Sequence, residues 1–421
     1  MASVEGTAGS RLIPPEKYRW ELILLLWGAF FLNQADRQVF NVVLPLIRSD
    51  LQLTDQMLGL VATTFTVVFG LLVPFAGIAG DIIDRRRVVL ISLLIFSTGT
   101  LLTGFASSFL LLLLFRGVAT GAGEAFYAPA AGSLIGSAHQ KTRARALSIH
   151  QTANYTGTVL GSLLAGWAGQ TYGWRSAFII YGVMGLAWGL IFFFRTKRYD
   201  IPAPVTREPG AQRALFGEAL KLIATTPALI GQMLAFGGLI FVSVGFLTWT
   251  PTLLFERFGL TLADAGFSAT FYHFMGAYVG VLGASWLTDR LIPSIPRIRL
   301  WVMAFGLVAS APFIWWAAGT QSLVHIYVAL AAFGVMRGMY DAGIFAAVFD
   351  VVEDRLRATV LGIVLASGFL IGAASPAIMG SMKAQYGLEG GMQMLAGAAL
   401  IAGVVLFIAT MIRPLRPHQG A

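Results

Sequence analysis

Asp36 and Arg37 stand side by side halfway along the apolar stretch Trp20 to Ile47. Two later stretches repeat the anomaly, with Arg116 and Glu124 in Leu110 to Ile135, and Arg337 and Asp341 in Val324 to Val352. If these stretches are helices crossing a bilayer, all six charges fall near its middle, where an ionisable side chain is costly and marks a functional site by default. Three acids can take up protons, and three guanidiniums offer planar forks that match a carboxylate or phosphate. Together they point to an aqueous pathway for protons, ions or charged solutes. The bland competitor is strongest for Arg337 and Asp341, whose i, i+4 spacing also suits a packing ion pair.

The elements that position these residues follow from composition. Of 421 residues, 57% are hydrophobic and only 12% charged, whereas a soluble domain carries about a quarter charged residues. A membrane-crossing helix needs ~20 apolar residues, and membrane strands would alternate in polarity, which these runs do not. The chain therefore reads as all-α and integral to the membrane. Twelve spans are predicted, beginning near Trp20, Met57, Val88, Leu110, Ala144, Ser176, Leu229, Leu262, Leu300, Val324, Leu356 and Met392. Met1 to Glu16 lacks the pattern of a cleavable signal, so the first span is expected to be retained. The absence of cysteine excludes disulfides, thiolate metal sites and cysteine nucleophiles. Without a metal-ligand cluster, a nucleotide loop or an obvious Ser-His-Asp set, neither an enzyme nor a metal or cofactor is expected.

The net charge of +9 is topological and not a sign of nucleic-acid binding. With both termini on one side, that side collects 22 Lys and Arg against four opposite, Arg48, Arg175, Arg257 and Lys383; Arg37, Arg116 and Arg337 are the remainder. By the positive-inside rule the richer side is cytoplasmic. Arg195 to Arg213, with Pro202, Pro204, Pro209 and seven charges, reads as a linker between two halves. The expected division is a six-helix half over 1–194, a cytoplasmic linker over 195–226, and a second six-helix half over 227–421. Echoes across the linker support it. Asp84-Arg85 is matched by Asp289-Arg290, Arg143-Ala-Arg145-Ala146 by Arg355-Leu-Arg357-Ala358, and Tyr172-Gly173 by Tyr386-Gly387.

The run Gly80 to Arg87, in which Asp84 precedes three arginines, resembles the loop signature of the major facilitator superfamily. It lacks the residue and glycine that usually precede the final basic pair. The resemblance covers almost the whole chain and implies twelve helices in two pseudo-symmetric six-helix halves. Within the superfamily, Leu32 to Arg37, and Arg116 followed by Gly121 to Ala125, are similar to the anion:cation symporters and to spinster-like lipid transporters. That similarity implies proton-coupling roles for Asp36 and Glu124, with Arg37 and Arg116 beside them. Those groups usually place the acid seven residues after the span-four arginine. Here it is eight, which in an α-helix turns Glu124 by roughly 80°, argues against direct pairing with Arg116 and leaves Arg116 to face Asp36.

Further substrate-side candidates are Tyr127, one turn beyond Glu124, the span-five stripe His150 and Asn154, and Arg337 with Asp341. The resemblance implies gating by the cytoplasmic loops, assigned to Asp84, Arg85, Arg145, Asp289 and Arg357. Asp84 is suited to bond the N-terminal end of a helix such as span eleven, where the dipole and Arg357 favour an anion. The expected function is a proton-coupled symporter of a small organic anion such as a sugar acid, working by alternating access. A spinster-like carrier of lysolipid or sphingolipid is the alternative. Partners are then the anion, protons and membrane lipid. A monomer in a bacterial inner membrane is expected, with both termini cytoplasmic.

Overall fold

A computed structural model describes residues 16–196 and 209–412, and within them the chain forms helices joined by short turns. In order these are α1 (Glu16–Leu51), α2 (Asp55–Ile82), α3 (Arg85–Thr103), α4 (Phe109–Leu112), a π-helical segment (Leu113–Thr120), α5 (Gly121–Ala125) and α6 (Tyr127–Ala138). Then follow α7 (Arg143–Tyr172), α8 (Trp174–Arg195), α9 (Pro209–Thr225), α10 (Pro227–Phe258), α11 (Leu262–Leu291) and α12 (Ile298–Gly319). The last are α13 (Leu323–Asp341), α14 (Ile344–Phe349), α15 (Asp354–Gly372) and α16 (Ser375–Ile412). Helices suit such a chain because each satisfies its own backbone hydrogen bonds where no water can.

Eight stretches among the described residues are long and apolar enough to span a bilayer. The sequence predicted twelve spans, and the shortfall has a physical cause. One stretch, 355–412, contains two rods, because α16 is two helices joined across a kink at Gly387. The other three rods, α1, α7 and α11, fall short because they carry the polar side chains, among them Asn33, Gln34, Asp36, Arg37, His150, Gln151, Asn154 and His273.

Gly387 (φ 67°, ψ 177°) and Gly173 (φ 85°, ψ 155°) adopt nearly the same backbone conformation, one essentially closed to side chains. The two Tyr-Gly pairs noted in the sequence are thus one turn used twice. Where α1 packs along α7, the backbones nearly touch: a Cβ on Gly157 would lie 2.5 Å from the Phe31 carbonyl oxygen. That sets α7 against α1 just ahead of Asp36 and Arg37.

The apolar core is organised unequally along the bundle axis. At the end carrying Arg48 and Lys383 it is one continuous cluster, drawing Val43, Leu58 and Phe178 together with Leu254, Ile314 and Met379. At the opposite end it splits in two, one cluster around Leu26, Phe96 and Tyr127 and the other around Ile240, Tyr340 and Val360. The undivided end also carries an ion network. Arg48 meets Asp55 (3.3 Å) and Glu256 (3.0 Å), and Lys383 meets the same two acids (3.2 and 2.9 Å). Four helices, α1, α2, α10 and α16, are tied together there.

The segment expected to be linker includes a helix, α9, whose Ala219 and Ile223 are buried and whose Glu218 accepts from Arg355 at 2.8 Å. Pro202 and Pro204 lie outside the described residues. Gly387→Ala is expected to lower stability by about 1–3 kcal/mol, the usual cost of a side chain in this backbone region. Gly132→Ala, at a helical site with open space around it, is the control and is expected to be neutral or better. Detergent-titrated unfolding measures both.

Candidate functional site

The middle of α1 presents successive charged residues to the rod formed by α4, the π-helical segment, α5 and α6. Asp36, 2% exposed, accepts hydrogen bonds from the Thr100 hydroxyl on α3 (2.7 Å) and the Arg116 guanidinium (3.3 Å). The next residue, Arg37, donates through Nε to Glu124 at 2.5 Å. Arg116 also donates to the Arg37 carbonyl (3.1 Å), so two ion pairs are laced into one cluster. Each carboxyl interacts with both guanidiniums and with the other carboxyl.

Eight residues separate Arg116 from Glu124, yet both meet α1, contrary to the rotation of roughly 80° expected of an α-helix. The reason is the π-helical segment Leu113–Thr120. A π turn bonds i to i+5 and holds an extra residue, so the surplus position is absorbed and Glu124 swings back onto the α1 side. The Thr120 hydroxyl, donating to Phe115 O at 2.9 Å, spans the same five-residue interval. The expected placement of Arg116 toward Asp36 is what the structure has.

Beside the cluster is a cavity of about 130 Å³. α1 contributes Arg37, Gln38, Phe40 and Asn41, α2 contributes Ala62, Phe65, Thr66 and Phe69, and the π segment contributes Arg116. Val244, Leu247 and Thr248 of α10 and Phe369 of α15 close the opposite wall. The guanidiniums rest on rings, Arg37 4.6 Å from the centroid of Phe69 and Arg116 5.0 Å from that of Phe65, a favourable cation–π geometry. The Arg37 side chain keeps 26% exposure while that of Glu124 has none. Among the described residues Glu124 Oε1 has no hydrogen-bond partner, and Arg37 commits only its Nε. The arrangement leaves a half-used fork facing a cavity and a sealed acid behind it.

Other predicted site residues lie elsewhere. Tyr127 and His150 do not line the cavity. The Tyr127 hydroxyl donates to Leu26 O (2.6 Å) and meets His150 Nε2 (3.1 Å), and His150 stacks on Phe30 (4.6 Å). They form an aromatic knot inside one of the split cores. Asn154 is half-buried on α7, one turn from His150 and also off the cavity lining. Arg337 and Asp341 form a second cluster on α13: Arg337 contacts Asp341 (3.4 Å) and His273 Nε2 of α11 (2.8 Å), away from the cavity. Of the gating candidates, Asp84 caps α3 through Arg86 N–H (2.9 Å) and pairs with Arg86 (3.2 Å). Arg145 sits over Trp20 (5.3 Å), Asp289 meets Arg299 (3.6 Å), and Arg357 donates to Val352 O and Phe349 O (3.0 Å each). Arg85 begins α3.

Missed by sequence reasoning were Thr100 and the cavity phenylalanines. Their types are unremarkable inside an apolar span. The polar residues Gln38 and Asn41, three apart near the charges, were the available signal.

The sequence profile described as Major Facilitator Superfamily matches residues 26–326. The chain is 23% identical over 416 residues to the hexuronate transporter of Bacillus subtilis, covering 96% of each chain. To a probable sulfoacetate transporter of Cupriavidus necator it is 27% identical, covering 96% of this chain and 97% of that one. To protein spinster homolog 1 of Xenopus tropicalis it is 27% identical, covering 86% and 73%. Among solved structures it resembles a bacterial homologue of the human lysosomal transporter Spinster, in an inward-facing, unoccupied conformation. The TM-score is 0.82, with 23% identity over 94% of this chain and 98% of that one.

Removing one partner of a buried ion pair leaves an uncompensated charge and costs about 3–5 kcal/mol. Arg37→Met and Glu124→Leu are each expected to lose stability on that scale. The double variant should lose clearly less than the sum, as unfolding in a double-mutant cycle measures. Additive losses would show that the pair does not interact.

Proposed function

Because the chain belongs to the major facilitator superfamily, we propose that it is a proton-coupled secondary transporter that carries a small organic anion by alternating access. It is a multi-pass membrane transporter and not an enzyme. The names of its relatives, among them hexuronate and sulfoacetate transporters, fall in the organic-anion class. The observation that carries the coupling is the pair Arg37 and Glu124, with one partner sealed and the other facing the cavity.

A guanidinium in a poorly hydrated site must be paired. While Glu124 is ionised it holds Arg37. A proton on Glu124 abolishes that attraction, and an incoming carboxylate then becomes the better partner for the fork. Proton and anion therefore favour each other's binding, as symport requires. Asp36 serves Arg116 in the same way, with Thr100 holding its orientation. The united core and four-helix ion network at one end, against split cores at the other, support a conformer open toward the split end. By the charge distribution that end is cytoplasmic, in a bacterial inner membrane with all twelve rods crossing.

A second possibility is a lysolipid carrier. The likeness to spinster homolog 1 and the apolar wall of Phe69, Phe369 and Val244 favour it. A volume of about 130 Å³ is small for an acyl chain, so the organic anion is preferred.

In liposomes, Asp36→Asn and Glu124→Gln are expected to abolish uphill accumulation driven by a proton gradient while preserving exchange of internal for external substrate. Gradient-driven accumulation at wild-type levels in both variants would refute the coupling.

A further inference from the structure

The polar groups lining the cavity beside Arg37 are partly committed to one another and to the backbone. Thr66 donates to Ala62 O (3.0 Å), Asn41 donates to Gln38 (3.3 Å), and Arg116 is engaged by Asp36 and the Arg37 carbonyl. The Thr248 hydroxyl, Gln38 Nε2 and Asn41 Oδ1 stay available, and Arg37 supplies the uncommitted charge, both its terminal nitrogens being free among the described residues. Most of the remaining surface is hydrocarbon. Phe40, Phe65 and Phe69 come from one side, and Val244, Leu247 and Phe369 from the other. Phe69 and Phe369 meet edge to face across the gap between α2 and α15 (5.0 Å, 70°), so the ring wall is continuous between the two sides.

Such a lining selects by chemistry. One charged fork suits one carboxylate. Rings in edge-to-face array suit another ring. The size agrees, since an apolar cavity of about 150 Å³ accepts benzene and this one measures about 130 Å³. A polyhydroxylated acid of similar bulk would turn most of its hydroxyls toward phenyl edges and methyl groups, since Gln38, Asn41 and Thr248 are too few to replace all of its hydrogen bonds to water. A site poor in polar partners rewards the analogue that lacks hydroxyls.

We propose that the anion this site takes is a monocarboxylate bearing a single apolar ring, its carboxylate on the free edge of Arg37 and its ring among Phe40, Phe65, Phe69 and Phe369. The proposal rests on the organic-anion reading above and narrows it away from sugar acids. It also gives the rings a role in selectivity that core packing alone would not require.

Calorimetric titration of the purified full-length protein tests it, with phenylacetate, its neutral counterpart 2-phenylethanol, and D-glucuronate as probes. Phenylacetate is expected to bind at least tenfold tighter than either. Phe65→Leu and Phe69→Leu, which keep bulk and fold, should narrow the preference for phenylacetate over glucuronate severalfold. Arg37→Gln should abolish its preference over 2-phenylethanol. Glucuronate binding as tightly as phenylacetate, or leucine variants that keep the wild-type preference, would overturn the proposal. Repeating the titration in two buffers of different ionisation heat counts protons taken up with the ligand. Phenylacetate bound tightly without proton uptake would refute coupling and leave this assignment standing. Glucuronate bound more tightly with proton uptake would do the reverse.

Discussion

A guanidinium at the depth of the hydrocarbon cannot stand alone, and most of what is distinctive about this chain follows from where Arg37 finds its partner. Isolating such a charge costs at least several kcal/mol even after local relaxation. Arg37 must therefore be held by Glu124 or by something in the cavity. Glu124 is wholly buried and the arginine is not, so the pair sets a sealed acid behind a cation that reaches the cavity. The neighbouring pair of Asp36 and Arg116 is more deeply enclosed and linked to the first through the Arg37 carbonyl. Changes at one pair are thus felt at the other within a single hydrogen-bonded cluster.

The surrounding structure serves that constraint. The π-helical segment rotates Glu124 onto α1, and the missing side chain at Gly157 lets α1 lie close along α7. The phenylalanines supply faces on which cations rest without neutralising them. At larger scale, one united core spans one end of the bundle, and two separate cores fill the other. Packed interfaces tend to switch between discrete arrangements, and this unequal division gives a natural place for such a switch.

Much of this was legible in the sequence because charge inside an apolar run has no bland explanation. Asp36, Arg37, Arg116 and Glu124 stood out for that reason, and the structure brings all four together. Arg337 and Asp341 stood out equally but belong to a separate cluster, since sequence depth places residues at a level in the bilayer and not on a side of the bundle. The pairing of Arg37 with Glu124 was not legible. It depends on a π turn, and nothing in Leu113–Thr120 distinguishes such a turn from α-helix by composition. Phe65, Phe69 and Phe369 were invisible for the opposite reason, being the residues an apolar span is expected to contain. The helix α9 was hidden within a stretch whose prolines and charges favoured a linker.

The central claim is that an anion entering the cavity takes Arg37 from Glu124 as that acid gains a proton. The infrared difference spectrum of the reconstituted protein, recorded as a bound carboxylate is added, tests this most directly. The account predicts a new carbonyl band of a protonated carboxylic acid in the wild type and its loss in Glu124→Gln. A wild-type spectrum without that band, or a band that persists unchanged in the variant, would contradict it.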